Sequence, residues 1–208
     1  MSGPPQIFDR RLYAQRRARA AGTDFLVADL AQHLAERIAV VNRRFQTALD
    51  ISSRPEAFVE LHPAAETWIR TSLSGGLSVV ADEEALPFAP GSFDLIVSVL
   101  SLHAVNDLPG ALVQIRRALK PGGLFVAALF GGQTLQELRE AFAQAESELR
   151  GGASPRVAPF ADVRDLGALL QRADFAMPVA DLERTTARYG NFASLVRDLR
   201  ALGEANAL

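Results

Sequence analysis

Two near-continuous apolar runs, "FDLIVSVLSL" at 93–102 and "LFVAALF" at 124–130, constrain the fold of this chain more than any other feature. A strand with one wet face alternates apolar and polar residues, whereas a strand covered on both faces does not. Between the runs lies "DLPGALVQIRRALK", residues 107–120, with apolar residues at helical spacing. Asp107 is placed to cap its start and the following "PGG" to stop it. A strand, a helix and a second doubly covered strand make a parallel crossover unit, which needs helices on both faces of the sheet.

The same alternation extends in both directions. "TDFLVADLAQHLAERIAVVNR", residues 23–43, reads as an amphipathic helix with Leu26, Leu30, Leu34, Ile38 and Val41 on one stripe and Thr23 or Asp24 as its cap. "FQTALDI" follows as a short buried strand, and Pro55 suits the first turn of a helix "PEAFVELH". "ETWIR" and "LSVVA" read as short strands on either side of an "SGG" turn. Further helices are expected over 133–150, 162–173 and 191–203, with extended pieces over 177–189 and a loop over 150–160. The expectation is an α/β chain with a Rossmann-like, doubly wound, mostly parallel sheet and right-handed crossovers. An N-terminal helical arm over 1–44 precedes a single globular domain over 45–208. Ligands in such sheets bind at the carboxyl ends of the strands, near the point where the strand order reverses.

Composition removes several chemistries. There is no cysteine among the 208 residues, so disulfides, thiolate metal sites and cysteine nucleophiles are out. His33, His62 and His103 are too scattered for a metal motif. A net charge of -2 gives no reason to expect nucleic acid. The apolar runs are too short for a transmembrane segment, and the first 21 residues lack the apolar core of a secretory signal, so a cytoplasmic location is expected. The arginines near the start also suit a transit peptide, but Asp9 and the continuation into a helix argue against one. Arg10, Arg11, Arg16, Arg17 and Arg19 read as a solvated helix face or as an arm for an acidic protein partner.

Residues 79–132, with "VVADEEALPF", "FDLIVS" and "LKPGG", resemble the second half of a class I S-adenosylmethionine-dependent methyltransferase. "IFDRRLYAQRRARAA", "LSLHAVNDLPGAL", "GGQTLQELREAFAQAESE", "SPRVAPFADVRDLGALLQRADF" and "LGEANAL" narrow the resemblance to bacterial relatives of a mitochondrial complex I assembly factor described as a protein arginine hydroxylase. The malonyl-carrier-protein methyltransferases of biotin synthesis are more distantly similar. The resemblance implies S-adenosylmethionine as cofactor. It places Asp50 at the cofactor's amino-acid end, Asp82 and Glu83 at the adenine amino group, and Ser98 at the end of the strand where substrate and cofactor meet. His103 and Asn106 follow in the loop above. His103 suits a catalytic base at neutral pH, and equally a hydrogen-bonded structural residue.

The chain departs from that pattern in three places. The family's glycine positions after Asp50 are Ser52, Arg54 and Glu56, which put side chains where the backbone should approach the ligand. "SSRPEAF" suits a remodelled cofactor loop or an ordinary strand-to-helix turn. The second strand ends in Arg70 and Thr71 instead of the acid that binds ribose. The last strand of the sheet is expected to be missing after Leu208, leaving an edge on which a homodimer can form. Three functions follow: a methyltransferase acting on a small-molecule or protein acceptor, a cofactor-free assembly or binding partner, and a protein-arginine hydroxylase in complex I assembly. No iron triad of two histidines and a carboxylate stands at recognisable spacing for the last.

Overall fold

The centre of the molecule is a five-stranded parallel sheet, ordered β3-β2-β1-β4-β5. The strands are β1 (Phe45–Asp50), β2 (Ala65–Ser72), β3 (Val79–Val80), β4 (Phe93–Val99) and β5 (Leu119–Ala128). The helices are α1 (Arg10–Ala18), α2 (Phe25–Val40), α3 (Leu108–Ala118), α4 (Gln136–Arg150), α5 (Val163–Arg172) and α6 (Phe192–Leu202). The computed structural model describes residues 6–20, 25–52, 64–73 and 79–208. The chain enters at β1, steps outward to β3 and returns to β4 on the other side of β1. The strand order therefore reverses between β1 and β4, where a ligand crevice is expected in a doubly wound sheet.

Every residue of β4 is buried, as its unalternating sequence requires. Leu95, Val97 and Val99 pack with Val27, Ala31, Leu34 and Ile38 of α2. Ile96 joins the opposite cluster, with Leu112 and Ile115 of α3. Each such side chain, fully covered, contributes about 1.5–3 kcal/mol. The buried stripe of α2 starts at Val27 and Ala31, while Leu26 and Leu30 are only partly covered and Val41 is exposed. Small Ala31 lets the helix approach the sheet closely, a choice that hydropathy alone does not rank.

Asp107 caps α3 and Asp162 caps α5, each accepting a backbone N–H at the helix start. The "PGG" stretch, expected to stop α3, lies inside β5 instead; α3 ends at Ala118 with Leu119 as its cap. Phe93 pairs with Leu119 and Leu95 with Leu124, so Lys120–Gly123 bulge out of the ladder opposite Asp94. The bulge brings Lys120 Nζ within 2.8 Å of Asp94 Oδ2 and 3.2 Å of Thr47 Oγ1, tying β1, β4 and β5 at their amino ends. Asp94 is thereby held below the usual carboxylate range, first by the Lys120 hydrogen bond.

Among the described residues of "LSVVA", 79–81, Val79–Val80 form a strand. One expected element takes a different form. Residues 177–189 form no strand and are pinned by side chains instead: Asp181 to Arg37 at 2.7 Å, Glu183 to His33 at 3.2 Å and Arg184 to Gln133 at 2.6 Å. The expected caps Thr23 and Asp24, the helix "PEAFVELH" and the "SGG" turn lie outside the described residues. Among the described residues, no helix is long and apolar enough to cross a membrane.

Candidate functional site

β1 delivers Asp50 to the carboxyl edge of the sheet as a fully buried carboxylate. Its Oδ1 accepts the amide N–H of Ser52 at 2.8 Å, a local turn that draws the chain over the strand end. The Ser52 hydroxyl then accepts the amide N–H of Val99, the last residue of β4, at 2.8 Å. At the first of the expected glycine positions, the side chain therefore stitches the loop after β1 to β4. Thr71 adds a third strand by donating to the Asp50 carbonyl at 3.4 Å. Ser98, on β4, is fully buried, and its Oγ has no hydrogen-bond partner among the described residues. Arg54 and Glu56 lie outside the described residues.

Asp82 and Glu83 sit just after β3, where a bridge between Asp82 and Ala85 holds a tight turn. Their carboxylates converge on Arg10 of α1. Arg10 Nη2 lies 2.7 Å from Asp82 Oδ1 and also donates to Glu83, Nε donates to Asp82 Oδ2 at 3.3 Å, and Nη1 donates to the Ala104 carbonyl at 2.9 Å. Burial works against the Arg10 charge, but Glu83 and Asp82 outweigh it and push its pKa up. Ser101, after β4, donates its hydroxyl to the second Glu83 oxygen.

A second buried cluster lies one turn to two turns along α1. Arg17 Nη2 donates to Tyr13 Oη, to the Leu100 carbonyl and to Glu204 Oε1, the last at 2.6 Å. Glu204 Oε2 meets His103 Nε2 at 2.9 Å. Burial would raise the Glu204 pKa, yet Arg17 and His103 overcome it and hold the carboxyl below its ordinary range. Burial, only partly offset by Arg17, pushes the Tyr13 phenol well above its ordinary value. The His103 ring packs against Phe130 at 4.7 Å, Phe160 at 5.7 Å and the edge of Tyr13 at 6.5 Å. Nδ1 of His103 and Nε and Nη1 of Arg17 are buried without hydrogen-bond partners among the described residues. Leu100, whose carbonyl receives Arg17, has a left-handed backbone (φ 51°), a strained conformation for a leucine at the end of a strand.

The structure thus brings His103, Asp82, Glu83, Asp50, Ser52 and Ser98 to one edge of the sheet and sets α1 against Asp82, Glu83, Leu100 and Ala104 there. Tyr13 and Glu204 are additions that sequence reasoning missed, and Arg10 and Arg17, read there as a solvated face or partner arm, are buried against the chain's own acids. The signal was present: Arg10, Tyr13 and Arg17 stand at i, i+3 and i+7 on one helix face. Asn106 fastens the arm's start by accepting the amides of Ile7 at 2.7 Å and Phe8 at 2.8 Å.

Comparison with known proteins puts this geometry in a family. A model of the methyltransferase domain matches residues 20–127. The chain belongs to the methyltransferase domain family. Within that family it is 39% identical over 221 residues to the mitochondrial arginine-hydroxylase NDUFAF5 of Rattus norvegicus, a match spanning 96% of this chain and 64% of that protein. The chain thus spans just under two thirds of that relative's length. It is 32% identical over 228 residues to the malonyl-[acyl-carrier protein] O-methyltransferase of Gallionella capsiferriformans (strain ES-2), covering 96% of this chain and 77% of that protein. Among solved structures, N-methyltransferase NodS from Bradyrhizobium japonicum WM9, in complex with S-adenosylhomocysteine, superposes with a TM-score of 0.54 at 15% identity, over 77% of this chain and 85% of that one. That likeness concerns the fold.

Proposed function

We propose that this chain binds S-adenosylmethionine at the carboxyl edge of β1 and β4 and acts on a protein substrate, with an arginine side chain as the acceptor suggested by its likeness to arginine-hydroxylase NDUFAF5. One observation carries the cofactor reading. The Asp82–Glu83 turn already binds a planar, N–H-donating group at the end of β3, namely the Arg10 guanidinium. An adenine amino group likewise donates N–H bonds to such carboxylate oxygens. Asp50 is positioned to organise the cofactor's amino-acid end. Thr71 offers a hydroxyl where the family's ribose acid would stand. When bound, S-adenosylmethionine supplies an activated methyl group; His103, oriented by Glu204, is placed to take a proton from an acceptor brought under the arm.

The Ser52 stitch to β4 and the closure by α1 favour a second reading, a cofactor-free assembly partner in complex I biogenesis. Calorimetric titration of the full chain with S-adenosylhomocysteine separates the two. Saturable binding, weakened at least tenfold by Asp82→Ala, is the expected result. Absence of heat from a folded sample up to millimolar ligand, together with absence of binding by Arg10→Met, would overturn the cofactor reading and leave the partner reading.

A further inference from the structure

We propose that α1 is an autoinhibitory latch, in which Arg10 holds Asp82 and Glu83 in place of the ligand and must leave before the edge of the sheet can be occupied. The inference rests on the cofactor reading above and adds its regulation.

Three observations lead there. First, the acid turn is already occupied. Arg10 engages both Asp82 oxygens, one Glu83 oxygen and the Ala104 carbonyl, with only 13% of its side chain exposed. A ligand donor aimed at the Asp82 positions that Arg10 takes must displace the guanidinium. Second, the arm is held by polar contacts rather than by apolar burial. Among the described residues 6–20 only Phe8 and Tyr13 are buried apolar side chains, while Asp9 donates its amide to the Ala207 carbonyl at 2.8 Å and Asn106 binds the backbone of Ile7 and Phe8. A segment with few buried apolar contacts opens at low cost compared with global unfolding. Third, the opposite end of α1 has its own anchor. Arg17 reaches the Leu100 carbonyl and Glu204, so the arm can release at Arg10 while remaining attached near its carboxyl end.

The latch makes a quantitative statement. If ligand binds only the open arm, its apparent affinity is the intrinsic one reduced by the open fraction. Cutting the Arg10 contacts raises that fraction and therefore the affinity, without any change to the ligand's own contacts. A ligand that competes with Arg10 for Asp82 has the differential affinity needed to shift the equilibrium.

The test compares the full chain with Arg10→Met, which keeps an apolar stem and removes the fork, and with Arg10→Lys, which keeps the charge alone. Two readouts are taken: amide hydrogen exchange across residues 10–18, without ligand, and calorimetric affinity for S-adenosylhomocysteine. Arg10→Met should exchange at least about tenfold faster in α1 while the strands keep their protection, and should bind the ligand about tenfold more tightly, with Arg10→Lys between. Unchanged exchange in α1 of Arg10→Met overturns the latch. Faster exchange with affinity equal to the parent chain overturns the competition at Asp82. Faster exchange with no binding by any variant overturns the proposal through its cofactor reading, and the two failures are thereby told apart.

Discussion

Ser52 shows how one side chain redirects a motif. In the family's glycine position it adds a hydroxyl that accepts the Val99 amide inside the protein, where Val99 is 1% exposed. Ser52→Ala leaves a buried N–H without a partner and should cost about 1–3 kcal/mol, read as a lower urea midpoint at unchanged slope. Ser52→Gly, which restores the family residue, should destabilise at least as much, because the amide is lost in the same way and the backbone gains freedom. Equal stability of Ser52→Ala and the parent would remove the stitch from the account. Glu204 is the second decisive residue. It faces Arg17 and His103 from a position 10% exposed, with Tyr13, Glu83 and Arg10 nearby. Glu204→Gln takes the compensating charge from buried Arg17 and should cost about 3 kcal/mol, measured by thermal or urea unfolding. None of this was legible from spacing, since Glu204 lies 187 residues from Arg17.

At the level of elements, α1 and α6 meet through a glycine. Gly203 ends α6 in the left-handed conformation (φ 77°), and a Cβ there would lie 3.2 Å from Arg17 Cα. Gly151 ends α4 at φ 71° with nothing within 4 Å. Alanine at either position carries the same backbone penalty, about 1–2 kcal/mol. Gly203→Ala alone should also push α1 away, so it should speed exchange in residues 10–18 while Gly151→Ala should not. Equal exchange in the two variants would show that the helices do not bear on each other there. The caps Asp107 and Asp162 and the stop at Gly151 were visible in the sequence because capping is local chemistry. The bulge at Lys120–Gly123 was not, because it is defined by pairing across strands and not by neighbours in the chain.

For the whole molecule, acid stability depends on carboxylates whose folded pKa is lowered: among the described residues these are Glu146, held by the Ser154 amide and Arg156, and two at opposite ends of the sheet. Asp94 faces Lys120, Thr47 and Arg43 at the amino end, and Glu204 faces Arg17 and His103 at the carboxyl end. Both hold a proton less tightly in the folded chain than in the unfolded one. Their contribution is therefore fully present above the ordinary values of 3.8 and 4.5 and is lost as pH falls through the lower folded values. Melting temperature measured against pH should hold steady down to the upper of these values and then fall, and Glu204→Gln should flatten part of that fall. A melting temperature that rises on acidification in this range would contradict the assignment. The alternation of strands and helices and the doubly covered β4 were determined by the sequence itself, because burial on both faces demands an unbroken apolar run and helices to cover it; where the strand order reverses came only from the structure. Asp50 at the end of β1 was legible because an acid ends a short apolar run, and Asp82 and Glu83 were placed only by the resemblance. That Arg10 closes on Asp82 and Glu83, that Ser52 reaches Val99 and that Glu204 joins Arg17 to His103 were decided only by the tertiary structure. Those contacts join residues 47 to 187 positions apart, and a polar side chain chooses its partner by which acceptor lies within hydrogen-bond reach once the apolar layers have set the distances.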